Sequence, residues 1–190
     1  QTCALPISKL FFRALLVVFL GAAFSVVLAA PNGKLQIHFM DVGQGDGAVL
    51  ISPQGEIVMF DNGNSKGCDK PLAYLEQIGI TQIDYHVASH YHSDHIGCTS
   101  EIFSQIELKV AGYDRGRSYT TQQYKTYVKV IGGKRIEARK GDMITLDKNS
   151  QHPVVIKFIA VNGNGINTSN ENDLSVSALV TFDNFKVEIG

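Results

Sequence analysis

Three histidines and a carboxylate lie between His90 and His95, within the segment Asp84-Tyr85-His86-Val87-Ala88-Ser89-His90-Tyr91-His92-Ser93-Asp94-His95-Ile96-Gly97. Imidazole and carboxylate are donors that suit Zn2+ and similar divalent ions. The segment follows directly on a stretch with the character of a buried strand, and in an extended chain residues i and i+2 point the same way. His90 and His92 are therefore expected to grip one ion from one side. Asp94 and His95 come after the bend and are expected to reach a second ion beside it, Asp94 being also the expected catalytic carboxylate. Water at an open position on such ions has its pKa lowered to about 7, which gives a hydroxide nucleophile at neutral pH. The expected cofactor is two Zn2+, with Mn2+ as the other candidate. A surface loop that merely happens to be rich in histidine is the bland alternative, and it fits this dense spacing poorly.

The elements that must position these residues follow from periodicity. Leu35 to Val42, Ala48 to Ser52 and Glu56 to Phe60 read as three strands separated by the glycine turn Gly43-Gln44-Gly45-Asp46-Gly47 and by Pro53-Gln54-Gly55. Pro71 to Ile78 suits a short helix, with Asp69 as a candidate cap. Ile83 to Ala88 is a buried strand, Thr99 to Gln105 a short helix and Leu108 to Ala111 a strand. Thr120 to Ile131 carries Tyr124, Tyr127, Val128 and Ile131 at helical spacing. Strands are expected at Ile136, at Met143 to Leu146, at Val154 to Val161, at Leu174 to Phe182 and from Phe185 to Ile189, with an Asn-rich loop before Leu174. Strands first, then helices between further strands, indicate an α/β layered fold. The length of 190 residues suits one domain, assigned here to residues 31–190. A hydrophobic fraction of 44% and the lack of long charge runs exclude a disordered chain. The net charge of −1 carries no information about partners.

The N-terminus is read apart. Lys9 and Arg13 precede an apolar run from Ala14 to Ala30 that ends in small residues before Pro31. Residues 8–30 are accordingly expected to be a secretory signal, with an uncleaved membrane anchor as the alternative. The expected location is periplasmic or extracellular. Residues 1–7 are set aside as a non-native extension, Cys3 with them.

Other candidate residues are weaker. Asp46 could reach a metal site from its glycine turn, or hydrogen-bond its own turn backbone. His38 and His86 fall within strands and are expected to be structural. His152, at a turn before Pro153, is expected to face solvent. Between Lys109 and Lys140 lie Lys109, Arg115, Arg117, Lys125, Lys129, Lys134, Arg135, Arg139 and Lys140, against only Asp114 and Glu137, with Tyr113, Tyr119, Tyr124 and Tyr127 interleaved. Basic side chains among aromatic rings are what a single-stranded nucleic acid or a polyphosphate requires. A solvated helical face over core tyrosines is the alternative. No stable protein partner is inferred. In an exported chain Cys68 and Cys98 are able to pair, or to remain two buried thiols.

The motif His90-x-His92-x-Asp94-His95 resembles the metal motif of the metallo-β-lactamase superfamily. Phe39-Met40-Asp41-Val42-Gly43-Gln44-Gly45-Asp46 is similar to the opening signature of its ComEC-type branch, named for the hydrolase-like domain of a DNA-uptake competence channel. Phe60-Asp61-Asn62-Gly63 resembles the first superfamily motif, and Asn172-Asp173-Leu174-Ser175 the segment leading to a metal-bridging Asp. The resemblance runs from about Leu35 to Gly190 and implies an αββα sandwich with the metal site at one edge, truncated in its C-terminal half. It implies that Asp61 supports the metal loop rather than ligating. It also implies that the loops after Asp61 and His95 lie side by side, bringing Cys68 near Cys98. The family's bridging Asp and a later His are expected beyond Gly190, so the fragment alone is expected to be inactive. The expected function is metal-dependent hydrolysis of a phosphodiester, nucleic acid or other ester-like bond by a metal-bound hydroxide. A lactonase or β-lactamase-like activity stays open, and the reading from another class is an exported, non-catalytic nucleic-acid-binding protein.

Overall fold

The computed structural model describes residues 31–190; the expected signal at 8–30 and the extension at 1–7 lie outside the described residues. Among the described residues no helix is long and apolar enough to cross a membrane.

The chain opens as a meander of three strands, β1 (Gln36–Phe39), β2 (Ala48–Ile51) and β3 (Ile57–Phe60), paired antiparallel. Helix α1 (Asp69–Gln77) then leads to β4 (Gln82–Val87), which runs parallel to β3. Helix α2 (Thr99–Phe103) leads to β5 (Glu107–Asp114), and α3 (Gln122–Ile131) to β6 (Arg135–Glu137), extending the sheet in parallel to six strands in chain order. The remaining strands, β7 (Met143–Leu146), β8 (Val154–Ala160), β9 (Ser177–Phe182) and β10 (Phe185–Ile189), form an antiparallel sheet of four.

Every residue of β2 and β3 is buried. Alternate side chains point to opposite faces of a strand, so Val49, Ile51, Ile57 and Met59 join the core beneath the helices, while Ala48, Leu50, Val58 and Phe60 join the core between the sheets. A strand covered on both sides reads as an unbroken apolar run. The helices seal one face through Leu75 and Ile102, both fully buried, each contributing about 1.5–3 kcal/mol. All three α-helices pack on that side, giving helix, sheet and sheet layers among the described residues.

Several boundaries differ from expectation for local reasons. Asp69 does not cap α1; it lies in the first turn, and Cys68 is the N-cap without a side-chain bond. Helix α3 starts later than Thr120, because Thr121 accepts a hydrogen bond from the Tyr124 N–H and caps it, an interaction worth about 1 kcal/mol. Strand β1 is shorter than Leu35 to Val42. Strand β5 runs past Ala111 to Asp114, because its parallel neighbours β4 and β6 continue the ladder to Tyr113 and Asp114. Leu174 belongs to a 3-10 turn, and β9 begins only at Ser177.

His86 and His38 sit in their strands as structural residues. His86 is fully buried, edge-on to Phe103 at 5.4 Å between ring centres. Burial lowers its pKa to about 4, against a small upward pull from Asp114. A depressed histidine pKa means that the folded state holds the neutral ring. Stability from this group is complete above the unfolded pKa near 6.5 and is lost as pH falls from there toward 4. The expected result is that His86→Phe loses roughly 2 kcal/mol less than the parent between pH 7.5 and 4.5. Urea midpoints of both proteins at the two pH values measure this, and parallel losses would rule it out.

Candidate metal centre

The site forms at the C-terminal ends of the parallel pair β3 and β4. Their register sets Phe60 opposite Val87, so the residues that follow, Asp61 and Ala88-Ser89-His90, leave the sheet side by side. Asp61 has a φ of +48°, a left-handed conformation that Asp tolerates better than most residues. This conformation accompanies a carboxylate that meets the neighbouring loop: Oδ1 accepts the Ser89 N–H at 2.8 Å, and Oδ2 accepts the Ser89 hydroxyl at 2.6 Å and contacts His95 Nδ1 at 2.7 Å. Asn62 continues the link. Its N–H donates to the His95 carbonyl and its side-chain oxygen accepts from Cys98 N, both at 2.8 Å.

The three imidazoles converge. His90 Nε2 lies 3.0 Å from His92 Nδ1, and the His90 ring centre is 4.0 Å from that of His95. Two nitrogens on one tetrahedral Zn2+ at 2.0–2.1 Å stand about 3.3 Å apart, so the spacing of His90 and His92 fits a shared ion. Burial, reinforced by His95 and His92, holds His90 down to a pKa of about 3, and it stays neutral, the form that ligates. Burial opposes charge on His95, but Asp61, Asp94 and Asp46 outweigh it and raise its pKa. Burial raises the pKa of Asp61, against the pull of His95 and Ser89.

The structure groups the candidates differently from the expected pairs. One oxygen each from Asp46 and Asp61 and one nitrogen of His95 lie within 4.8 Å of one another. Asp46 Oδ2 is 3.9 Å from His95 Nδ1 with its carboxylate largely exposed, so it reaches the site from its turn. Asp61 is engaged by Ser89 and His95, as a carboxylate that holds the loop. Asp94 falls outside this grouping, its Oδ2 accepting from Gln44 Nε2 at 3.2 Å, while its charge still acts on His95. The glycine turn is pressed against the metal loop: at Gly45, with φ of +93°, a Cβ would lie 1.8 Å from the Asp94 carbonyl oxygen, so only glycine lets the turn approach. A cavity of about 200 Å3 lined by Phe39, Asp46, Phe60, Asp61, Ser89 and Glu188 opens at the cluster, and one of about 350 Å3 is lined by Gln44, His92, Asp94, Tyr119 and Gln123 along the histidine loop.

Cys68 and Cys98 are joined in a disulfide with Cα atoms 5.3 Å apart, tying the loop after Asp61 to the loop after His95. His152 is exposed and contacts Asp183 at 2.8 Å, away from the cluster.

The basic stretch meets more acids than its own segment holds. Lys109 pairs with Asp84 at 3.1 Å, Arg115 with Glu171 at 2.6 Å and Arg135 with Asp114 at 2.6 Å, while Lys134 bonds the Leu108 carbonyl. Asp84 and Glu171 are distant in sequence, which is why local counting made the stretch look unopposed. Arg117, Lys125, Lys129, Arg139 and Lys140 stay exposed. Tyr127 is buried in the core under the helices, with Tyr119 and Tyr124 packed against it.

The sequence reading missed Glu171, and took Arg115 only as one side chain of the basic stretch. Glu171 Oε1 accepts the Tyr91 N–H at 2.9 Å, between His90 and His92. No local pattern marks their pairing, because the two residues stand 56 positions apart.

No curated protein sequence matches the chain. Solved structures resemble its fold: MEM-A1, a subclass B3 metallo-beta-lactamase from a soil metagenome library, at 14% identity and TM-score 0.55, covering 80% of this chain and 58% of that one. A Cronobacter sakazakii metallo-beta-lactamase HARLDQ-motif mutant gives 15% identity and TM-score 0.58, covering 83% and 64%. SMB-1 bound to 2-mercaptoethanesulfonate gives 15% and 0.53, covering 79% and 56%. The chain thus spans less than two thirds of the length of each, and at such identity the likeness speaks for the fold alone. The sequence itself matches a family model over residues 44–166, from the glycine turn through the histidine loop to the Asn-rich loop, and the chain belongs to the metallo-beta-lactamase superfamily.

Proposed function

We propose that this chain carries the metal-binding core of an exported, ComEC-type hydrolase acting on phosphodiesters or other ester-like bonds. The observation that carries the metal reading is the 3.0 Å approach of His90 Nε2 to His92 Nδ1 beside the Asp46, Asp61 and His95 cluster. His90 and His92 would hold one divalent ion, and His95 with Asp94 or Asp46 a second. Zn2+ is the first candidate and Mn2+ the alternative. A divalent ion bound there supplies Lewis acidity and a water acidic enough to react near pH 7.

The chain's own residues supply the geometry. Asp61 fixes Ser89 and the His95 ring from below. Gln44 steadies Asp94, the carboxylate proposed to orient the attacking water. The cavities at Asp46 and Asp61 and at His92 and Asp94 leave room for a substrate. The choice of phosphodiesters is supported by the ComEC-type signature from Phe39 to Asp46 and by the exposed Arg117, Lys125, Lys129, Arg139 and Lys140. The same side chains support the other proposed reading, an exported nucleic-acid binder without turnover. The convergence of three imidazoles favours the enzyme, since a binder has no need of them.

The test is zinc titration against a chromophoric chelator, with the parent and with His92→Ala, followed by assay on a phosphodiester and a β-lactam. The expected result is at least a tenfold loss of zinc affinity in the variant, and any turnover abolished by chelator. Equal zinc affinity in the two proteins would sink the metal reading. Salt-dependent oligonucleotide binding that survives both chelation and His92→Ala, and is lost in Lys125→Gln/Lys129→Gln, would instead select the binder.

A further inference from the structure

A buried ionic network lies directly beneath the histidine loop, and its contact with that loop is Tyr91. The Tyr91 N–H donates to Glu171 Oε1 at 2.9 Å. The same carboxylate is forked by Arg115, Nε to Oε1 at 2.8 Å and Nη2 to Oε2 at 2.6 Å. The Arg115 guanidinium lies over the Tyr91 ring, 4.3 Å from its centre. The Tyr91 hydroxyl donates to Asp114 Oδ1 at 2.8 Å and accepts from Arg135 Nη2 at 3.0 Å. Tyr91 is therefore held at its main chain, its ring face and its hydroxyl. Arg115, Glu171 and Asp114 are 2%, 5% and 0% exposed.

Sinking two carboxylates and the Arg115 guanidinium in the interior, with Arg135 half-buried beside them, is a poor way to gain stability, since apolar residues of equal volume often do as well or better. The arrangement does supply a fixed orientation. Side chains at i and i+2 of an extended segment share a side and i+1 takes the other. Clamping Tyr91 below thus sets the angle at which His90 and His92 rise above. The Asn-rich loop grips the same segment a second time, as Val176 N–H donates to the Ser89 carbonyl at 2.8 Å and Ser175 Oγ lies 3.3 Å from His90 Nδ1.

We infer that Glu171, oriented by Arg115, is a positioning residue that presets His90 and His92 for one metal ion by holding the Tyr91 peptide between them. The inference rests on the reading of His90 and His92 as metal ligands. In Glu171→Gln the amide nitrogen faces the Arg115 fork, donor against donor, and the clamp opens.

The test measures the zinc dissociation constant of the 190-residue chain by chelator competition, together with the urea midpoint of the metal-free protein. The variants are Glu171→Gln and, as a control for neutralising a buried, paired carboxylate elsewhere, Asp84→Asn. The expected result is 10–100-fold weaker zinc binding in Glu171→Gln, and unchanged binding in Asp84→Asn even where its midpoint falls as far. Should Glu171→Gln fail to fold, the apolar replacement Arg115→Met/Glu171→Leu keeps the volume and removes the clamp, and the same weakening is expected of it. Parent-like zinc affinity in a folded clamp variant overturns the positioning role alone. A parent that binds no zinc overturns the metal reading and this inference with it.

Discussion

Asp61→Ala is expected to lower stability by about 3–5 kcal/mol, the usual cost of removing one partner from a buried charged cluster, and to weaken zinc binding about 10–100-fold. Asp61 is 4% exposed and serves three groups of the metal loop at once, the Ser89 N–H, the Ser89 hydroxyl and His95 Nδ1. Alanine leaves the buried Ser89 N–H without its acceptor, at a penalty of about 1–3 kcal/mol, and strips the Ser89 hydroxyl and the half-buried His95 ring of their carboxylate partner. It also places a residue with no side-chain compensation at φ of +48°. Asp61→Asn separates the two parts of the effect. Asparagine tolerates the backbone conformation and still offers an oxygen to Ser89, but removes the negative charge that lifts the His95 pKa. The expected order of stability is parent, Asp61→Asn, then Asp61→Ala. Urea unfolding of the three metal-free proteins gives the stability, and chelator competition the zinc affinity. An Ala variant within 1 kcal/mol of the parent would show that the loop does not depend on this carboxylate.

Reduction of the Cys68–Cys98 disulfide is expected to be the second large effect. The bond closes a loop of sequence separation 30 that contains α1, β4 and the whole histidine segment. Chain-entropy arguments assign about 3.5 kcal/mol to closing a loop of that size, which in a domain this large corresponds to a fall in Tm of roughly 7–14 °C. The bond joins the loop that leaves Asp61 to the residues that follow His95, so loosening it also loosens the relative placement of the two carboxylate-bearing and histidine-bearing loops. The comparison is thermal unfolding of the parent with and without reductant, beside Cys68→Ala/Cys98→Ala. The parent should lose stability on reduction and fall to the level of the double variant, which itself should not respond to reductant. Two thiols freely alkylated in the unreduced parent, or a reductant response in the double variant, would remove the disulfide from the account.

The sequence by itself determined the chemistry-bearing residues and the order of the elements around them. Donor type is a property of each side chain, and His90, His92, Asp94 and His95 lie within one short stretch, so local spacing was enough to point to a divalent ion. The unbroken apolar runs of β2 and β3 between glycine-bearing turns and the helical spacing of Tyr124, Tyr127, Val128 and Ile131 were legible for the same reason, since both signals are written in consecutive residues. Element ends were less legible: Thr121 takes the cap of α3 where the apolar pattern alone started the helix earlier, and β5 is lengthened by neighbours on both sides. Only the tertiary structure decided which groups meet. It turned Asp46 toward His95, gave Asp61 three partners, left Asp94 to Gln44, and drew Lys109, Arg115 and Arg135 from an apparent basic face into pairs with Asp84, Glu171 and Asp114. The physical reason is that a charge is neutralised by whatever the fold brings within a few ångströms. For Glu171 that partner lies 56 residues away, a distance at which sequence spacing carries no information and only the packing of one loop on another decides.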